Sequence, residues 1–585
     1  MAVLGWWVPT LMADRRSCLR LLPLFLAILS LACRAPASLS LLPATSSGRI
    51  EAAVRLPRAA RLSLSWRASD PQATPGPAVV EVWLHRDGER GELLKSIPFN
   101  AAAPQASAAV DLGEHAGETC FLRMTAGSVP VTWTRADLTG RAWRGKGEDW
   151  RVAPTPGAPN VIVYLIDTLR PDVLGAYGGP GPTPTIDRLA SEGVVFERAY
   201  STTSWTRPAV ASLFSSLPVS AHRVQSEVFS LPEGVLTLAE RFRLRGYQTL
   251  GVVANDHVLP TFNFDQGFEI YDSPPVAEAA GATWDSGLET TNITAEQVHA
   301  LALRHLTEAR DPERPLFLYV HTVEPHSPYH PPEWLLKQAR PAVKANNFLL
   351  RSINEAEVAS PQLLQDLALQ YRGAVAYADR ELGKFLQGVA AHLDLGRTLL
   401  AVTSDHGEGF FEHYLVGHRH WLYEEMVRIP LILRGPGVPA GRHDAFPASL
   451  VDLAPTLLRL AGQPASSTGF LQGADLVNGG PSSRRDRLVY GEYQSGATLV
   501  KGEWKLTYHQ EYPEAFRFAL FNLRLDPAER INLLARRPEV ARGLEAEFRG
   551  WHASAKGLAV EPLPVDVARL DRRLLQNLRA LGYLK

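Results

Sequence analysis

Apolar and polar positions follow two different rhythms along the chain. From about residue 45 to 150 the apolar runs are short and alternate with polar residues. Arg61, Leu62, Ser63, Leu64, Ser65 and Trp66 keep a strict period of two, and Val80, Val82 and Leu84 keep it in part. Turn formers such as Asp87-Gly88 and the prolines at 71, 75 and 77 separate them. Half-buried strands at this spacing predict an antiparallel, sandwich-like domain. It gathers no His, Asp and Glu at ligand spacing and reads as a spacer or binding module. A Pro- and Ala-rich linker follows over 152–159.

Beyond the linker, residues 161–166 are continuously apolar, as expected of a strand covered on both faces. Helical patterns over 186–192, 235–245 and 294–309 then alternate with apolar runs at 249–254, 315–321 and 398–404. Thr294 and Gln297 form a capping-box signature for the third helix. The alternation predicts an α/β fold with a mostly parallel sheet flanked by helices, whose functional groups gather at the carboxyl ends of the strands.

At 585 residues the chain exceeds one ordinary core, so several domains are expected. The net charge of -1 supplies no field for nucleic acid, which is excluded as a partner class. The three cysteines, Cys18, Cys33 and Cys120, leave no disulfide pair once an N-terminal segment is removed. Residues 1–33 read as an export signal: Arg15, Arg16 and Arg20 precede a dozen apolar residues, too few to span a bilayer, which end at Ala32-Cys33. The ending resembles a bacterial lipoprotein signal. The expectation is an exported, periplasmic or cell-surface protein held at the membrane through its N-terminus.

The candidate chemistry sits after the apolar runs. Asp167 follows the first directly; Ser404-Asp405-His406-Gly407-Glu408 closes the last. An adjacent Asp and His at a strand tip offer one oxygen and one nitrogen to a divalent metal. Six further histidines cluster in two loops: His321, His326 and His330, then His413, His418 and His420.

These stretches, in order, resemble the sulfatase family of the alkaline phosphatase superfamily. Residues 160–172 are similar to its opening strand and first metal loop, 184–196 to the helix that follows, and 403–408 to its second metal loop. Tyr423-Glu424-Glu425 through Ile432, 452–458, and Leu520 through Glu529 look like its downstream signatures. The implied catalytic region spans 159–465, with 466–585 as its C-terminal part. The resemblance implies Asp167, Thr206, Asp405 and His406 as ligands of a divalent ion (Zn, Mn or Ca). It makes Thr206 the nucleophile, and has His326 and His418 bind the transferring group or protonate the leaving oxygen. Arg419 takes the cationic place usually held by lysine. The family's nucleophile is a Cys or Ser converted to formylglycine, followed after one residue by Pro-Ser-Arg. Here the corresponding residues are Thr206, Pro208, Ala209 and Val210. Threonine has no route to formylglycine, so the expected reaction is hydrolysis or transfer of a phospho- or sulfo-ester through the Thr206 hydroxyl, as in phosphoglycerol and phosphoethanolamine transferases. The substrate would be a small-molecule, glycan or lipid ester. A sulfuric ester hydrolase acting on a sulfated glycan or lipid, and a non-catalytic binding protein on the same scaffold, remain the alternatives.

Overall fold

The computed structural model describes residues 37–41, 49–56, 58–69, 78–86, 91–100, 103, 105–126, 131–141, 155–275, 293–327, 329, 331–332, 335, 361–413, 416–419, 421–462, 471–478, 487–493, 496–510 and 517–565. The segment read as an export signal, Cys18 and Cys33, His330, His420 and the terminal stretch 570–584 lie outside them. Among the described residues no helix is long and apolar enough to cross a membrane. They fall into two compact units, one within Met1–Leu84 and Leu93–Val152, the other within His85–Glu92 and Ala153–Lys585.

The first unit is built from two antiparallel four-stranded sheets. One places Ala37–Ser40, Val131–Arg141, Arg58–Ala68 and Ala106–Asp111 side by side; the other orders Ile50–Arg55, Thr119–Ala126, Val79–His85 and Glu92–Pro98. The period of two is realised as expected: Leu62, Leu64 and Trp66 point into the core while Arg61 and Arg67 face water. Trp66 and Trp133 meet edge to face at 5.8 Å.

The second unit is centred on an eight-stranded sheet. In chain order its strands are β1 (Asn160–Ile166), β2 (Val194–Phe196), β3 (Gln248–Val253), β4 (Ile270–Asp272), β5 (Leu316–Thr322), β6 (Thr398–Thr403), β7 (Leu431–Arg434) and β8 (Arg442–Asp444). They lie in the order β4-β3-β5-β1-β6-β7-β2-β8. Only β7 runs against the rest. The continuous apolar run of β1 follows from this position. Val161, Val163 and Leu165 enter the core on one face, and Ile162, Tyr164 and Ile166 enter the core on the other.

Helices cover both faces. Pro184–Ser191 and Ala295–Glu308 match the predicted segments, and Thr294 with Gln297 makes both bonds of its capping box. The helix expected over 235–245 is shorter, Leu238–Arg243. Thr237 caps it with Glu240 in a second capping box, so the chain enters the helix only there. The 29-residue helix Pro361–Val389 is not among the elements read from the sequence. Its buried residues, Leu367, Tyr371, Val375, Ala378, Leu382 and Phe385, nonetheless recur every three or four positions. A four-stranded antiparallel sheet follows (Leu488–Tyr493, Gly496–Lys501, Trp504–His509, Phe518–Asn522), with the helix Pro538–Gly557 packed on it.

Candidate active site

Four neighbouring strand ends supply the site. Asp167 follows β1, His321 is the next-to-last residue of β5, Asp405 and His406 lie two and three residues past β6, and Asn255 lies two residues past β3. All but Asn255 are fully buried, and Asn255 nearly so. Thr206 begins the helix Thr206–Ser215, which packs in the core on one face of the sheet. Parallel strands therefore deliver to one point residues as distant along the chain as Asp167 and His406, which is why the site sits at their carboxyl ends.

Asp167, His321 and Asp405 each present a ligand atom within 4.8 Å of the other two. His406 Nε2 lies 3.3 Å from Asp405 Oδ2, 3.7 Å from Asp167 Oδ1 and 3.4 Å from Thr206 Oγ1. His406 Nδ1 sits 2.9 Å from the carbonyl oxygen of Gly407, so the ring proton belongs on Nδ1 and Nε2 offers a lone pair. Among the described residues no hydrogen-bond donor reaches Asp167 Oδ1 or Asp405 Oδ2. Two buried carboxylate oxygens and an imidazole lone pair that converge without a proton between them are suited to a divalent cation. Burial opposes ionisation of Asp167, but the hydrogen bond from His321 and the nearby histidines hold its carboxyl below the usual range. Burial and then the Asp167 charge push Asp405 up. A cation between them would relieve both.

The surrounding backbone is fixed by specific bonds. The amides of Thr168 and His406 donate to Asp405 Oδ1 at 3.2 and 3.0 Å. Thr168 is held at a φ of 57°, a strained left-handed conformation for a β-branched residue, in a loop that also turns its amide onto Asp405. Tyr371, from the long helix, donates its hydroxyl to the Thr168 carbonyl at 2.8 Å and accepts the Arg170 amide at 2.8 Å. A glycine directly after Asp405-His406 suggests a tight turn. The structure gives a different reason, close approach: a Cβ on Gly407 would lie 2.1 Å from the Glu425 carbonyl oxygen.

Asn255, which no motif in the sequence singles out, touches both halves of the site. Its Nδ2 donates to Asp167 Oδ2 at 2.5 Å and lies 3.4 Å from Thr206 Oγ1, while its Oδ1 accepts the His257 amide at 2.8 Å, fixing the side chain's orientation. His321, noted only as one of a cluster, places Nε2 3.3 Å from Asp167 Oδ2. Both follow or end an apolar strand, the same signal that marks Asp167.

The other expected residues are distributed unevenly. His418 packs on His406 with ring centroids 4.5 Å apart, and His326 packs on His418 at 4.9 Å. His418 Nδ1 meets Glu408 Oε1 at 3.0 Å. Burial pushes Glu408 up to about 8, and burial with the neighbouring His406 and His326 depresses His418. Arg419 pairs with Glu227 at 2.8 Å and stacks 5.0 Å over Trp205, with its own φ at 81°. Arg207, beside Thr206 in sequence, turns away: it donates to the carbonyls of His257 and Glu227 and stacks 3.6 Å over Phe262. His413 stands apart, stacked on Tyr423 at 3.7 Å and bonded to Glu425.

A family model described as Sulfatase matches residues 159–463. The chain belongs to the sulfatase family of the alkaline phosphatase superfamily. Among curated relatives it is similar to an arylsulfatase of Clostridium perfringens, 25% identical over 451 residues covering 64% of this chain and 90% of that one. A choline-sulfatase of Rhizobium meliloti is 26% identical over 435 residues, with 65% and 83% covered. Among solved structures, the phosphonate monoester hydrolase of Agrobacterium radiobacter superposes with a TM-score of 0.53 at 21% identity, over 70% of this chain and 97% of that one. A protein solved with its substrate D-glucosamine-2-N,6-O-disulfate gives 0.56 at 19% identity, over 68% and 98%. These two likenesses establish the shared α/β fold.

Proposed function

We propose that this protein is a metal-dependent hydrolase or transferase that cleaves a phosphate or sulfate ester through the hydroxyl of Thr206. One observation carries the reading. Thr206 Oγ1 stands 3.4 Å from both His406 Nε2 and Asn255 Nδ2, beside the carboxylate pair and at the start of a helix. Asp167, Asp405, His406 and His321 would hold the divalent ion, with Thr206 as a further ligand. Such an ion, when bound, acidifies a coordinated hydroxyl and polarises the ester oxygens.

The side chains define the remaining roles. The Asn255 amide donates toward Thr206 Oγ1, which turns the hydroxyl proton away from it and favours the alkoxide. Oγ1, its proton released to solvent, attacks phosphorus or sulfur, and the bond from that atom to the departing alcohol oxygen breaks. His418 packs on His406, and His326 on His418, beside Thr206 and the carboxylate pair. Burial and the neighbouring histidines favour the neutral form of His418; an incoming anionic ester favours its protonated form, which gives the alcohol its proton. Water or an acceptor alcohol then resolves the Thr206 ester. A threonine ester cannot collapse to an aldehyde, which favours a phosphate diester or a phosphotransfer reaction. The names of the relatives, arylsulfatase and choline-sulfatase, favour a sulfate ester instead. Export and tethering through a lipidated Cys33 belong to the same proposal and rest on the N-terminal pattern alone.

The test is an assay of metal-loaded wild type and Thr206→Ala against aryl sulfate, phosphate monoester and phosphate diester. The expected result is diesterase or transfer activity that the substitution lowers at least about a thousandfold. Sulfate release that survives Thr206→Ala would remove Thr206 from the mechanism.

A further inference from the structure

Two sequence signatures remain outside this chemistry: Tyr423-Glu424-Glu425 and the segment ending in Glu529. The fold brings them together around Lys505, which is completely buried in the strand Trp504–His509. Lys505 Nζ lies 3.0 Å from Glu424 Oε1 and 3.0 Å from Glu529 Oε1. Glu529 Oε2 accepts the backbone amide of Glu424 at 2.6 Å, where the helical turn Glu424–Val427 begins. His413 bridges the same segments: it holds Glu425 through Nδ1 at 2.7 Å, and its Nε2 meets the Glu529 carbonyl at 3.2 Å. A buried ammonium is tolerated only when paired, so these contacts allow the turn one position on the sheet.

The opposite side of that turn rests on the metal loop. The Gly407 amide donates to the Met426 carbonyl at 2.7 Å, and the Gly407 Cα faces the Glu425 carbonyl too closely to carry a side chain. Gly407 follows His406 directly. The turn thus meets Lys505 through Glu424 and the metal loop through Gly407.

We propose that Lys505 is a positioning residue for the metal loop, fixing through the turn Glu424–Val427 where Asp405 and His406 stand and so setting the affinity for the divalent cation. The inference rests on the reading of that loop as a metal site. A purely structural Lys505 would change resistance to unfolding and leave the cation affinity of the folded protein untouched. A positioning Lys505 changes the affinity itself, as partners behind metal ligands do.

The experiment measures Zn²⁺ and Mn²⁺ affinity of the full chain by competition with a chromogenic chelator. Wild type is compared with Lys505→Arg and with the double variant Lys505→Met, Glu529→Gln, which removes one charge of each sign and leaves Glu424, the less buried of the two carboxylates, as the one that loses its cation. The expected result is roughly 10-fold or weaker binding by the folded double variant, with partial recovery in Lys505→Arg. Affinity within about twofold of wild type, in a variant that unfolds more readily, overturns the proposal. Hydrogen exchange on the wild type keeps it falsifiable should the variant fail to fold. Zn²⁺ loading is expected to slow exchange in 424–427 and 504–509 together with 405–407; protection confined to 405–407 overturns it. A wild type that binds neither ion overturns the metal-site reading and this inference together, whereas a wild type that binds while the variant equals it overturns this inference alone.

Discussion

Replacing Asp405 by asparagine should move stability in opposite directions with and without metal. Without a cation, Asp167 and Asp405 are two buried carboxylates whose facing oxygens lie within 4.8 Å. At an effective dielectric constant of about 20, that separation corresponds to a repulsion of about 3 kcal/mol when both are ionised. The introduced amide would keep an acceptor for the Thr168 and His406 amides and offer its Nδ2 to Asp167 Oδ1, which has no donor among the described residues. In chelator, at a pH above the raised range in which Asp405 loses its proton, Asp405→Asn should therefore be the more stable protein, by up to about 3 kcal/mol. With zinc at about a hundredfold excess over its Kd, wild type gains about 2.7 kcal/mol by linkage and the variant gains little. Urea unfolding followed by tryptophan fluorescence, with chelator and with zinc, reads all four values. A variant less stable than wild type in chelator, or one that keeps the zinc-dependent gain, would refute the idea that these two carboxylates face a cation.

Further outcomes follow from individual contacts. Glu324 is pushed up to about 7 by burial, from an ordinary value of 4.5, so its favourable protonated state is complete below the unfolded pKa and is lost as pH rises through about 7. Glu324→Gln keeps an acceptor for the Ala295 amide and should flatten the fall in stability between those limits; at about pH 8 the variant should exceed wild type by up to about 3 kcal/mol, measured by denaturant unfolding across pH. Tyr371→Phe strands the Thr168 carbonyl and the Arg170 amide and should cost about 1–3 kcal/mol in the same assay, with weaker metal binding. Asn255→Ala removes the donor aimed at Thr206 Oγ1 and should lower kcat about a hundredfold with a smaller effect on KM; an unchanged kcat would place Asn255 outside the reaction.

Local sequence specified more of this protein than its length suggests. A continuous apolar run followed by Asp167, and another followed by Asp405 and His406, read as strands covered on both faces with polar groups at the tip, and the structure shows their apolar side chains alternating between two cores. The period of two did the same for the N-terminal sheets, and Thr294 with Gln297 fixed a helix start to the residue. These signals are local, carried by neighbours in the chain. Tertiary structure decided what local signals cannot carry. His321, Asn255 and Thr206 join the two carboxylates only because parallel strands and one helix N-terminus converge, and no spacing along the chain encodes that convergence. The left-handed φ of Thr168 is likewise imposed from outside, by Tyr371 on a distant helix and by the Asp405 carboxylate. Gly407 reads in the sequence as a turn glycine, but the reason for it, the Glu425 carbonyl close to its Cα, exists only once the turn Glu424–Val427 has packed against it. The order of apolar and polar residues determined which strands form and what stands at their ends; packing determined which of those ends meet.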